Sequence, residues 1–249
     1  MSHIFNKFAF IICNLLFCIN LLGLQIDPLR TMITVDAGKK EVGCITLTNT
    51  NNKKSNISVS FENQAIHGDF GKKDWLTSDQ NFVVIEPGQQ AVLKYEVFIS
   101  DGVTGELRSR IAFSEVSPDQ KEGAVAINTK ISVPFFATVK GTEVYDFEVV
   151  SFEVKDDAKE TANVIIHNRG NVHVRPSGIC SISKMGEEKP LQSIQLNKTK
   201  YPVFPNEEKE FYMKLNKPLS PGKYTVELQL ESITQINHSI RQILEFEVI

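Results

Sequence analysis

Apolar and polar residues alternate with a period of two along most of this chain. In the stretch GAVAINTKISVPFF, Gly123 to Phe136, Val125, Ile127, Ile131 and Val133 fall two apart with Thr129 among them. Ala124, Ala126, Asn128, Lys130 and Ser132 take the other face, which is the pattern of a strand with one buried side. Such a strand spans roughly 40 Å at about 3.3 Å per residue, longer than the common five or six residues. It follows the polar loop SPDQKEG, which leaves its first part free of a neighbour. Two readings are open: an ordinary closing strand of a β-sandwich, or an edge that receives a partner's strand by β-augmentation.

The same periodicity predicts strands at Leu29–Val35, Val42–Thr48, Ile57–Phe61, Phe82–Ile85, Ala91–Ile99 and Glu106–Phe113. Turn-forming runs such as DAGKK, NTNNKKSN, EPGQ and SDGVTG separate them. With the long strand this makes seven, the pattern of an immunoglobulin-like sandwich. After TVKGTE a second set follows, at Tyr145–Val154, Ala162–Asn168, Val172–Ile182, Leu191–Leu196, Glu210–Leu215, Tyr224–Ser232 and Ile240–Val248. Between two of these, NRGN reads as a turn in which Gly170 supplies a positive φ. The expected fold is all-β: residues 1–25 a signal peptide, 26–141 one immunoglobulin-like sandwich and 142–249 a second, with a cleft between the two.

The signal peptide is predicted from Lys7 followed by an apolar run from Phe8 to Leu24, broken only by Asn14 and Asn20. Removal is expected near Gly23 to Gln25; an uncleaved N-terminal anchor is the alternative and the only route to a membrane contact. Without Lys7 the chain carries 26 basic and 30 acidic side chains, a net of −4 with no basic block. Nucleic acid is therefore not an expected partner. Of four cysteines only Cys44 and Cys180 lie beyond the signal segment, and both read as small buried hydrophobes, with a bridge between the domains left open. His167 and His173 flank the NRGN turn without the companions of a metal site and read as surface or turn histidines. Trp75 reads as core or sheet-edge packing, with ligand stacking as the alternative. No nucleophile elbow, phosphate-cradling loop, HExxH or CxxC pair is present, so neither an enzyme nor a cofactor is expected.

Four segments, in order, carry a family resemblance. IDPLRTMITVDAGKKEVGCITLTNTN (Ile26–Asn51), FVVIEPGQQAVLKYEV (Phe82–Val97), TGELRSRIAFSEVSP (Thr104–Pro118) and Gly123–Phe136 resemble the first domain of the periplasmic pilus (fimbrial) assembly chaperones, the PapD-like family. The resemblance implies two immunoglobulin-like domains set as a boomerang. It also implies a final strand of the first domain that is lent to an incomplete subunit, and cleft cations that bind the subunit's terminal carboxylate. Carried over, Arg30 matches the cleft arginine, while Val125, Ile127 and Thr129 fall in the donor strand. The cleft lysine matches Ser132, so Lys130, two residues earlier on the same face, is the candidate in its place.

In the second half, ANVIIHNRGNVHVRPSG, Ala162 to Gly178, resembles immunoglobulin-like domains of bacterial envelope and surface proteins. The resulting expectation is an exported, non-enzymatic protein of the periplasm or cell envelope that binds secreted pilus or surface subunits by lending a strand. The competing expectation is a structural or adhesive envelope protein in which both sandwiches are spacers and the long strand is fully paired.

Overall fold

The computed structural model describes residues 23–62, 75–116, 129–155, 160–233 and 237–249. The body of the predicted signal peptide and the predicted donor positions Val125 and Ile127 lie outside the described residues. Every regular element among those described is a β-strand.

The first sandwich contains β1 (Leu24–Asp27), β2 (Thr31–Val35), β3 (Lys40–Asn49), β4 (Ser55–Phe61), β5 (Leu76–Ser78), β6 (Phe82–Ile85), β7 (Gln90–Phe98), β8 (Glu106–Glu115) and β9 (Lys130–Val139). One sheet has the order β1-β3-β7-β5 and the other β2-β9-β8-β4-β6. Alternation explains the inward faces: in β7, Leu93, Tyr95 and Val97 are buried while Val92 and Lys94 are exposed. At the centre, Phe135 of β9 is fully buried, with Tyr95 edge-on at 4.9 Å and Trp75 at 6.0 Å. Trp75 is thus a core residue.

The second sandwich contains β10 (Phe147–Lys155), β11 (Thr161–Asn168), β12 (Pro176–Lys184), β13 (Gln192–Leu196), β14 (Glu208–Lys214), β15 (Gly222–Ile233) and β16 (Asn237–Val248). Its sheets have the orders β10-β11-β14 and β13-β12-β15-β16. Val164, Ile166, Cys180, Ile182, Val226 and Leu228 fill the space between them.

Four expectations change. The strand predicted over Leu29–Val35 is β2, Thr31–Val35, and it is preceded by a strand the sequence reading did not have, β1, which joins the other sheet and ends at the cis Asp27–Pro28 bond. The strand predicted from Val172 begins at Pro176, because Val174 makes only an isolated bridge with Val203. Gly170 does not have a positive φ; glycine is needed there because a Cβ would collide with the Val144 carbonyl oxygen. Cys44 is exposed on β3 rather than buried, whereas Cys180 is buried, and both thiols are free.

Candidate functional site

The first site is an edge. Val139 N donates to Gly105 O at 2.8 Å and Glu115 N to Thr129 O at 2.9 Å, so the odd-numbered residues of β9 bond to β8. By the alternation of an antiparallel ladder, the even-numbered residues turn their backbone groups the other way. On that side the parallel strand β2 pairs only with Phe135–Val139. Among the described residues, the amides and carbonyls of Lys130 and Ser132 therefore face an open edge, which ends where the β2 ladder begins and Thr31 N reaches the Pro134 carbonyl. Pro134 fits this position, since a proline inside a strand is tolerated where the missing N–H would have faced no partner. The edge opens onto a groove where β1 gapes away from β9, lined by Leu24, Gln25, Phe113, Thr129 and Ile131.

Thr129 precedes β9 and is exposed. Lys130 is the first residue of β9, and its ammonium contacts Glu62 Oε1 at 2.5 Å. That ion pair holds the Glu62 carboxyl below its ordinary value of 4.5. Arg30 is exposed just before β2 and has no ion-pair partner among the described residues. Thr31 pairs with Phe135, which sets Arg30 beside Pro134. Lys130 is four residues from that point, roughly 13 Å along the strand, so the two predicted cations are not neighbours.

The second site is the cleft between the sandwiches. The register Glu106↔Thr138 and Arg108↔Phe136 places these four residues on the outward face of their sheet, against the second sandwich. His173, from the segment between β11 and β12, packs its ring on Phe136 at 4.6 Å, and its Nδ1 lies 2.5 Å from Glu106 Oε2. Both side chains are buried, so of the expected surface or turn position His173 keeps the turn segment but not the surface. His167 is closer to that expectation, half-buried on β11 with Nδ1 3.7 Å from Glu148.

The Arg108 guanidinium lies 4.1 Å above the centre of the Phe204 ring, a cation–π contact across the same boundary. Burial lowers the pKa of Arg108, against the opposing pull of Glu106 and Glu207. Arg175 is lowered too, first by burial and then by the positive charge of Arg30, with Glu106 opposing. Arg30, Arg108 and Arg175 thus gather at one cleft although the sequence has no basic block. The sequence did not point to Arg108, Arg175 or Glu106 as site residues; Pro134 was the one local signal of the open edge.

The segment joining the sandwiches is fastened by Asn171. Its Oδ1 accepts from Val144 N at 2.7 Å, its Nδ2 donates to Thr142 O at 2.9 Å, and its backbone carbonyl accepts from Glu106 N at 3.0 Å. Gly105 N is in turn bonded to Thr142 Oγ1 at 2.8 Å. The NRGN segment is therefore a clasp between the two domains.

No protein-family model matches the chain, and no curated protein matches it in sequence. Solved structures do match. The class 5 fimbriae chaperone CfaA is 15% identical with a TM-score of 0.54, over 89% of this chain and 98% of CfaA. The YadV chaperone is 12% identical with a TM-score of 0.52, over 90% and 99%. A chain from a chaperone–tip adhesin complex of CFA/I fimbriae is 16% identical with a TM-score of 0.52, over 89% and 98%. At these identities the likeness is one of architecture, and across nearly its whole length this chain has the two-sandwich fold of the PapD-like fimbrial chaperones.

Proposed function

We propose that this chain is an exported, non-enzymatic chaperone that binds pilus or other surface subunits by lending them the strand that ends in β9. The observation that carries the reading is the open edge at Lys130–Ser132. An incomplete subunit has the complementary defect, an apolar groove with unpaired backbone groups. A lent strand satisfies both, through main-chain hydrogen bonds and through side chains set every second residue. By the alternation of the sequence, Val125, Ile127 and Thr129 precede Ile131 at every second position and are the proposed donor set.

Arg30 is the anchor for the subunit's terminal carboxylate, exposed next to the open edge and without an ion-pair partner among the described residues. Lys130 is the second cation of the pattern, and a carboxylate reaching it would have to displace Glu62. Residues 1–25 act as the export signal, 26–141 as the donor domain and 142–249 as the second domain, and the protein works in the periplasm. The similar structure of a chaperone with a tip adhesin supports a surface subunit as the kind of client.

The test is affinity capture of the chain from its own cell envelope, with bound proteins identified by mass spectrometry. Small secreted subunits are expected with the wild type and are expected to be lost with Arg30→Ala and with the double variant Val125→Asp, Ile127→Asp. The same partners in all three samples would return the chain to the spacer reading.

A further inference from the structure

The cleft contains a buried polar chain that strand lending does not use. Glu106 on β8 and His173 in the segment after β11 have side chains 3% and 1% exposed, with Oε2 and Nδ1 2.5 Å apart. On the other side of the ring, Arg175 Nε donates to His173 Nε2 at 3.2 Å. A guanidinium N–H can only donate, so Nε2 must present its lone pair and the proton of the neutral ring must sit on Nδ1, directed at Glu106. Carboxylate, neutral imidazole and guanidinium thus form a line across the domain boundary. Arg175 is held from its far end as well, with Nη1 donating to Lys200 O at 2.9 Å.

We infer that His173 is a proton-responsive positioning residue: neutral, it fixes Arg175 in the cleft beside Arg30; protonated, it releases Arg175. The functional sense of this device rests on the reading of that cleft as the place where a client's carboxylate docks. A proton added at Nε2 would face the Arg175 N–H, donor against donor and cation against cation. The ring cannot turn away, because it is packed on Phe136 of β9 and lies 6.2 Å from Phe204. Arg175 is only half-buried and is the group that moves. The charged groups around the ring are Glu106 and Arg108 from β8, Arg175 from its own segment, Glu207 acting on Arg108, and Arg30 acting on Arg175. Among the described residues Glu106 is the carboxylate in contact with the ring, and its second oxygen, Oε1, has no hydrogen bond there. Protonation therefore adds a positive charge to a cleft already rich in guanidinium groups and frees one of them to turn toward an incoming anion.

The test uses the 15N-labelled chain from Gly23 onward with no client present. Two-bond proton–nitrogen correlations at about pH 8 are expected to show the Nδ1–H tautomer of His173. On titration to about pH 5, the Arg175 Nε–Hε resonance is expected to shift with the same midpoint as the His173 ring. That shift is expected to vanish in His173→Gln and to persist in His167→Gln. An Nε2–H tautomer, a His173 ring that keeps one protonation state across this range, or an Arg175 resonance that does not follow the ring would overturn the inference. Should His173→Gln fail to fold, the wild-type tautomer and the shared midpoint decide alone. Because no client is needed, a failure of strand lending in the capture experiment leaves this result standing, and the reverse holds too.

Discussion

Asn49 and Asn168 do the same job in the two sandwiches. Each is fully buried at the end of a strand. Asn49 Nδ2 donates to Ile85 O at 2.9 Å and Lys53 O at 2.8 Å, and its Oδ1 accepts from Asn51 N at 2.9 Å. Asn168 Nδ2 donates to Val172 O at 2.8 Å and Val203 O at 2.9 Å, and its Oδ1 accepts from Gly170 N at 2.9 Å. Replacing such an amide with an apolar group strands backbone partners that cost about 1–3 kcal/mol each when buried and unpaired. Asn168→Leu is accordingly expected to lower the unfolding free energy by about 3 kcal/mol or more, read from the urea midpoint. At Gly43 a Cβ would fall on the Tyr95 ring, which leans across it onto Phe135. Gly43→Ala is expected to cost about 1–3 kcal/mol by overpacking. Burial pushes the Cys180 thiol up to about 12, while Cys44 is exposed. Since the thiolate is the reactive form, the folded chain from Gly23 onward is expected to react with one equivalent of a thiol reagent and the unfolded chain with two. A second fast-reacting thiol in the folded chain would contradict the buried position of Cys180. These asparagines were visible in the sequence as strand ends, but their carbonyl partners, as far as 36 positions away, were not.

At the scale of the element, the alternation in β9 was legible because one face of it is buried: Val133 and Phe135 point into the core. The open side was signalled locally by Pro134 alone, because its extent depends on where β2 stops pairing. The Lys130–Glu62 pair gives a pH-dependent contact at this edge. The Glu62 carboxyl is held below 4.5, its ordinary value, first by its hydrogen bond to Lys130 and then by that cation's charge. Its folded value is depressed, so the pair's contribution is present above the unfolded value and is lost as the pH falls through the still lower folded value. The lysine is therefore expected to stay paired on acidification from neutral pH to 4.5, which the Lys130 side-chain resonance checks. Glu62→Gln removes the competitor. If Lys130 takes the client carboxylate, this variant is expected to bind a purified client subunit several-fold more tightly; an unchanged affinity would assign the carboxylate to Arg30 and the cleft arginines.

For the whole molecule, two sandwiches and their order could be read from strand count and turn spacing, but the joint between them could not. Its parts come from distant places: Glu106 and His173 are 67 positions apart, and Phe136 meets Phe204 through folding alone. A buried histidine looks like any other histidine until its partner is placed, and for this reason the surface position expected of His173 did not hold. The joint is fastened by Asn171, and Asn171→Ala is expected to widen the distribution of distances between spin labels placed one on each sandwich, with little change in either core. An unchanged distribution would mean that the Glu106–His173 pair and the Phe136–Phe204 contact set the angle by themselves. A fixed angle would keep Arg175 of the second sandwich beside Arg30 of the first. The central claim is that the edge that begins at Lys130 is open until a client fills it. Amide hydrogen exchange along β9 tests this most directly, in the chain alone and in complex with a client subunit. The account predicts fast exchange at Lys130 and Ser132 beside protected amides at Ile131 and Val133 in the free chain, and slow exchange at all four in the complex. Slow exchange at Lys130 and Ser132 before any client is added would show that the edge is already paired and would contradict it.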